Sequence, residues 1–343
     1  MHSSRLLTAL IAVAATTVLS PAFAGAAGGP IIPVAADGTI GIESPDGQSR
    51  YVTLDGDGSI VAKIDKGSGE VVSVRPVRDP AGGYFGIPQV AGDGSAAGLS
   101  ADGRRLVLIR IGPVNEARLL VLGTGRRLRI LNRITLKGQY SFDAISPDGR
   151  TAYVVEYPRP FRYDRYRVLK LDLKSGRLAQ KPIADEDVGI EEEEEGAGGV
   201  AGEMRGTALS RVGSEDGRWA YTLYDGGGDV PFIHALDTVG DKAVCVFLPQ
   251  LEDLDGREIA KASIATGPEP GTISVIGRED QGSPELARVD TTTFAVTAPV
   301  PEGDESGSGV TAPLILAGLA LAGFGFGLFL VRRHRRTAAR AAI

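Results

Sequence analysis

Short alternating runs, rather than helical stripes, carry the apolar residues of this chain between residues 30 and 300. Tyr51-Val52-Thr53-Leu54, Leu106-Val107-Leu108-Ile109, Ala152-Tyr153-Val154-Val155 and Ala220-Tyr221-Thr222-Leu223 each read as a β-strand. Each follows a turn of one design: Ser44-Pro45-Asp46-Gly47, Ser100-Ala101-Asp102-Gly103, Ser146-Pro147-Asp148-Gly149 and Ser214-Glu215-Asp216-Gly217. Asp-Gly before an apolar run marks a hairpin, because glycine accepts the positive φ that a tight turn requires. A second strand then ends on aspartate and turns into a third. The copies are Ile60–Asp65 with Glu70–Val74, Arg118–Leu122 with Arg127–Leu131, Val168–Asp172 with Arg177–Ala179, and Ile233–Asp237 with Ala243–Phe247. A fifth copy, Leu286–Asp290 with Phe294–Thr297, lacks the Asp-Gly turn, and Pro270–Val275 stands in its place.

The turn aspartates Asp46, Asp102, Asp148 and Asp216 are separated by 56, 46 and 68 residues. A two-hairpin unit recurring at roughly 45–55 residues is the pattern of a propeller blade. The predicted fold is therefore all-β: a β-propeller of four-stranded antiparallel blades, with one C-terminal transmembrane helix appended. Five blades are visible; six or seven remain open if the chain ends supply a degenerate blade, and Pro30–Ile42 can complete the last blade's sheet. The four turns and five strands together resemble the SPDG-repeat propellers, the TolB-like, YVTN lactonase-like and WD40-like proteins. That resemblance implies a fold and leaves function open, because the motif builds turns rather than a site.

The two ends read differently. Residues 1–24 have a positive start at Arg5, an apolar run Leu6–Leu19 and a small-x-small site at Ala22-Phe23-Ala24, the pattern of a secretory signal peptide. Residues 25–300 form the predicted propeller, 301–309 a flexible stalk and 310–331 an uncharged stretch long enough to cross a bilayer. The tail 332–343 opens with Arg332, Arg333, Arg335 and Arg336, which hold it on the cytoplasmic side. The chain is thus expected to be a single-pass type I membrane protein, its propeller outside. An apolar segment followed by arginines also resembles a Gram-positive cell-wall sorting signal, but the LPxTG-type motif which that signal needs is missing. Gly318/Ala322 and Gly323/Gly327 have the small-xxx-small spacing that allows dimerisation through the span.

Composition narrows the function classes. Glycine supplies 47 of the 343 residues, which suits a turn-rich β protein, and the single Cys245 excludes an intrachain disulfide. Setting aside Arg5 and the five tail arginines leaves 31 of the 37 basic residues against all 43 acidic ones, a formal charge of −12 on the external part. Such a surface argues against nucleic acid as a partner. Arginine outnumbers lysine 29 to 8, which points by association to a bacterial source.

Candidate chemistry is sparse. His234 is the only histidine outside the two ends, and its alignment with Ala62, Leu169 and Ala287 puts it on an apolar face, as a buried and hydrogen-bonded residue. Trp219 and Cys245 also fall at strand positions suited to core packing. Asp55 with Asp57, and Asp253 with Asp255, are spaced like fragments of a calcium loop, although neither set completes one; no cofactor is expected beyond this Ca2+ option. Tyr157, Phe161, Tyr163 and Tyr166 alternate with Arg159, Arg162, Arg165 and Arg167, a mixture suited to anchoring a protein or a glycan. The acidic insertion 185–202, with Glu191, Glu192, Glu193, Glu194 and Glu195 in a row, is expected to be a solvated loop able to dock a basic partner. Tyr224–Asp229 reads as a glycine-rich loop that can cover the mouth. The function these features favour is a non-catalytic binding, scaffolding or sensing module at a bacterial cell envelope, its partner an envelope protein or glycan. The alternative is a lactonase-like hydrolase with carboxylates and a divalent cation in the central channel.

Overall fold

The structure, a computed structural model, describes residues 41–298 apart from 57, 112–114, 160–161, 186–201 and 278–282. These residues form five antiparallel sheets, each a meander of strands consecutive in the chain. The first sheet joins β1 (Gly41–Glu43), β2 (Ser49–Gly56), β3 (Gly58–Asp65) and β4 (Val71–Val77). The second joins β5 (Arg105–Ile111), β6 (Glu116–Gly123) and β7 (Arg129–Lys137). The third contains β8 (Gln139–Ile145), β9 (Thr151–Tyr157), β10 (Arg165–Asp172) and β11 (Met204–Arg205). The fourth contains β12 (Ala208–Gly213), β13 (Trp219–Tyr224), β14 (Phe232–Asp237) and β15 (Lys242–Phe247). A short helix, α1 (Gly256–Ile259), precedes the fifth, which contains β16 (Ser263–Thr266), β17 (Thr272–Ile276), β18 (Glu285–Asp290) and β19 (Val296–Thr297).

Four apolar clusters hold successive sheets face to face. Tyr51 and Val61 of the first sheet meet Leu106 and Leu120 of the second. Val107 and Leu119 meet Phe142 and Leu169 of the third. Tyr153 and Val168 meet Tyr224 and Leu236 of the fourth. Leu223 and Ala235 meet Val275 and Ala287 of the fifth. Inner strands of neighbouring blades meet, as where β12 contacts β16. Stacked four-stranded meanders with inner first strands are propeller blades.

The recurring turn has a single hydrogen-bond plan. In each copy the serine hydroxyl donates to the aspartate at 2.5–2.7 Å, and that carboxylate accepts the N–H of the residue after the glycine. The glycines sit at φ 66–70°, where a side chain would be strained. The turns also converge: the Asp102 N–H donates to the Pro147 carbonyl at 3.0 Å, and a Cβ on Gly217 would collide with Ala101. The motif turns of neighbouring blades therefore pack against one another. The second repeated aspartate works alike, with Asp65, Asp172, Asp237 and Asp290 each accepting N–H groups two or three residues on.

Three expectations are corrected. Pro30–Ile42 does not reach the last blade through its described part: Gly41 and Ile42 pair with Val52 and Tyr51 in the first sheet, and the fifth sheet is completed by its own β19. Arg177–Ala179 is not the outer strand of the third blade. That edge comes in pieces, with single bridges at Leu178 and Ile183 and then β11 after the acidic insertion. The insertion thus leaves from within the third blade's outer edge and does not separate two blades. In the second blade the inner strand is broken, replaced by bridges from Gly86 and Leu99 onto β5.

Candidate functional site

Inner strands β8 and β12 each carry a charged residue three positions before the motif serine: Asp143 before Ser146, and Arg211 before Ser214. The blade repeat brings these equivalent positions together. Arg211 Nη1 lies 2.7 Å from Asp143 Oδ1 and donates to the Asp143 carbonyl at 2.5 Å, with both side chains buried. From Arg211 a polar row crosses the fourth blade in register, through Thr222 and His234 to Cys245, on the face turned to the third blade. Burial holds the His234 imidazole below its usual range, offset in part by the Asp143 carboxylate, and pushes the Cys245 thiol up to about 12. His234 is buried as expected, but Nε2 has no hydrogen-bond partner, contrary to the bonded histidine read from the sequence.

Beside the ion pair, at the inner edge of blades three and four, lies a small cavity open to solvent. Tyr157, Tyr163 and Tyr166 of the third blade and Tyr224 of the fourth line it, with Ser141 and Asp143 on β8. Tyr157 and Tyr163 meet edge to face, 5.4 Å between centroids, and Tyr166 stacks on Tyr224 at 5.2 Å. Tyr224 stacks in turn on Phe232, so one end of the wall is fixed by packing. Burial raises the Tyr157 hydroxyl to about 12, and those of Tyr166 and Tyr224 move the same way. At neutral pH these three phenols stay protonated; that of Tyr166 donates to the Arg205 carbonyl at 3.5 Å and that of Tyr157 lies 3.3 Å from Ser141 Oγ.

A hairpin from the second blade completes the cavity. Residues 86–89 and 96–99 pair inside β5, and the tip reaches the fourth blade: the N–H groups of Gly92 and Asp93 donate to the Ala208 and Leu209 carbonyls at 3.0 Å. Gln89 and Val90, next to its tip, line the cavity with the tyrosines. On the other side Asp225 accepts the Thr207 N–H at 2.7 Å and so fixes the backbone lining at Gly206 and Thr207. The Tyr224–Asp229 segment is therefore a tied turn beside the cavity.

Three predicted anchors, Tyr157, Tyr163 and Tyr166, come together here, whereas Phe161 lies outside the described residues. The alternating arginines are sorted away from the tyrosines. Arg159 and Arg165 share the buried Glu203 carboxylate at 3.4 and 3.1 Å, Arg162 pairs with Asp164, and Arg167 pairs with Glu156. Period-two alternation along β10 separates Arg165 and Arg167 from Tyr166. Glu191–Glu195 and Asp57 lie outside the described residues, as do residues 310–331 and the tail arginines. No helix among the described residues is long and apolar enough to cross a membrane. Asp255 caps α1, accepting the N–H groups of Arg257 and Glu258 at 2.7 and 2.9 Å, while Glu258 returns a bond to its backbone. Asp253 is exposed in the preceding turn, and Asp55 pairs with Ser59 in the β2–β3 hairpin. Among the described residues no three His, Cys, Asp or Glu side chains converge as a metal site would need. The sequence reading missed Asp143, Arg211 and Gln89; the available signal was opposite charges at the same repeat position.

No protein-family model and no curated protein matches the chain. Similar solved structures include TolB from Acinetobacter baumannii, at 13% identity and TM-score 0.40, covering 77% of this chain and 54% of that one. The chain thus spans about half the length of that TolB. Others are the β-propeller domain of the Trilobed protease from Pyrococcus furiosus, at 9% identity and TM-score 0.40, covering 76% of this chain and 70% of that one, and the Pyrococcus horikoshii acylaminoacyl peptidase. The peptidase matches at 12% identity and TM-score 0.44, over 77% of this chain and 39% of its own. The five stacked meanders themselves define the class of protein, a β-propeller.

Proposed function

We propose that this chain is a non-catalytic binding module, displayed on the outer face of a bacterial membrane by residues 310–331, and that it captures an envelope component at the cavity between blades three and four. The observation that carries the reading is the convergence of four tyrosines from two blades on one solvent-connected cavity. Aromatic rings with polar tips give large contact area at small entropic cost. Burial keeps the hydroxyls of Tyr157, Tyr166 and Tyr224 neutral at neutral pH.

The test is cross-linked capture from solubilised envelope with the full chain as bait. Changing Tyr157 and Tyr163 to alanine is expected to lower saturable capture about tenfold or more; the melt falls with the lost packing of Tyr157, and the comparison is made at a temperature where the variant is folded. Arg162→Ala, in an exposed ion pair with Asp164, serves as the control and is expected to capture like the parent. Equal capture by the tyrosine variant and the parent overturns the reading.

A further inference from the structure

The four apolar clusters join the blades in a row and leave one face of the first blade and one of the fifth outside them. These two faces differ in kind. On the fifth blade, Ser274 and Arg288 lie on the side away from Val275 and Ala287, and both donate to the Glu285 carboxylate. Thr297 pairs with Arg288 on the next strand. Such a face can stand against water.

The first blade's free face is apolar. Tyr51 and Val61 point to the second blade, so Val52, Leu54, Ile60, Ala62 and Ile64 point away from it. In register they form three rows across β2, β3 and β4. Leu54, Ile60 and Pro76 make the first, Val52, Ala62 and Val74 the second, and Arg50, Ile64 and Val71 the third. Val52 and Ala62 are buried at the middle, whereas Leu54, Val71 and Val74 are 37%, 57% and 53% exposed. A contiguous patch of this kind marks a contact surface.

Size and sequence choose its occupant. The patch measures about 10 Å across the three strands and about 14 Å along them. A stable interface between two proteins buries about 800 Å² on each partner, far more than the patch offers. A short tethered strap is the matching size, and its tether supplies a high effective concentration. The chain enters this sheet at Gly41, which pairs with Val52 in the middle row. Residues 30–40, just before it, carry a single charge, Asp37, and include Ile31, Ile32 and Val34. Fully extended, eleven residues reach up to about 35 Å, past every row. The stretch after the fifth sheet fits badly, because it would lay Glu302, Asp304 and Glu305 on valines.

We propose that residues 30–40 fold back over the free face of the first blade, with Ile31, Ile32 and Val34 against Leu54, Ile60 and Val74. Pro30 and Pro33 have no N–H to give to a ladder, so the segment crosses the side chains as a strap and does not extend the sheet. The strap involves none of the cavity residues, so it stands or falls apart from the binding reading above.

Benzoylphenylalanine placed at Leu54 or at Val74 of the full chain, photolysed and mapped by mass spectrometry, tests this. Mixing heavy-isotope and unlabelled chains separates contacts within one chain from contacts between copies. The main cross-link from either position is expected to reach residues 30–40 of the same chain, with a yield that dilution does not change. Ile31→Asp with Ile32→Asp is expected to lower that yield about tenfold and to raise the binding of an apolar dye about threefold. Tyrosine-dependent envelope capture is expected to stay as in the parent. Cross-links between labelled and unlabelled chains overturn the proposal in favour of a second copy. Main cross-links to any other segment or to lipid, or no cross-link at all, overturn it outright. The parent cross-link needs no destabilising change, so the test holds even where the double aspartate variant fails to fold.

Discussion

The two faces of the fourth blade are built from the same strands and do opposite things. Toward the fifth blade, Tyr221, Leu223, Ile233, Ala235 and Val246 form an apolar surface within one cluster. Toward the third, in-register neighbours Arg211, Thr222, His234 and Cys245 cross the sheet among the aromatic rings. Alternation with period two makes this division inevitable for any strand, but the polar row is not needed for cohesion. Thr222 Oγ1 and His234 Nε2 have no partner although both residues are 1% exposed. A blade interface optimised only for stability would resemble the other face. The one that departs from that pattern borders the tyrosine cavity.

The largest expected effect comes from breaking the ion pair. Arg211→Ala leaves Asp143 buried and uncompensated and is expected to cost about 3–5 kcal/mol in urea unfolding. Replacing both partners, Asp143→Leu with Arg211→Met, is expected to recover most of that. A single-variant loss below about 1 kcal/mol would mean that the polar face is more open to water than its burial implies. On the apolar face Leu223→Ala is expected to cost about 3 kcal/mol while leaving capture at the cavity unchanged, because its side chain points to the fifth blade. If capture fell with it, the two faces would not be independent.

The smallest effect sharpens the comparison through pH. Burial lowers the His234 pKa, opposed by the nearby Asp143 and Asp185 carboxylates and reinforced by Arg211. The unfolded chain then takes up a proton below about pH 6.5 that the folded chain refuses, so stability falls as pH drops from there toward the folded pKa. The slope is at most about 1.4 kcal/mol per pH unit. Thermal melts between pH 7.5 and 5 are expected to show this decline in the parent and to lose it in His234→Phe. Turn carboxylates such as Asp46 and Asp290 are lowered by their hydrogen bonds, so their contribution disappears only at pH values below about 4.

What was legible in the sequence follows the range of the interactions involved. The Ser-x-Asp-Gly turns were readable because every bond that defines them lies within five residues. The central strands β2, β9, β13 and β14 were readable because both faces are packed and their apolar runs are dense. The outer edge of the third blade was not. Leu178, Ile183 and Met204 pair there because β10 offers an edge, and nothing local marks them as strand. The inner edge of the second blade hides for the same reason: Gly86–Ser100 contains too little alternation to show a hairpin. At the site, the tyrosines were visible as a cluster, but their neighbouring arginines looked equally available. Only the register of β10 and the position of Glu203 remove Arg159 and Arg165 from the cavity.

That inner hairpin changes the mechanics of the whole assembly. In a repeat array where each unit touches only the next, a unit can loosen while the rest stays intact. Here the tip of the second blade's hairpin is bonded to β12, and Ser95 donates to the Arg211 carbonyl 116 residues away. Blades two and four are tied past blade three, which makes the three a closed mechanical loop. Separating blade three from either neighbour strains the tie, so the cavity walls are expected to open together or not at all. Amide exchange would then report one common opening event for Ala208, Ser141 and Gln89, with rigidity delivered to the place where recognition needs it.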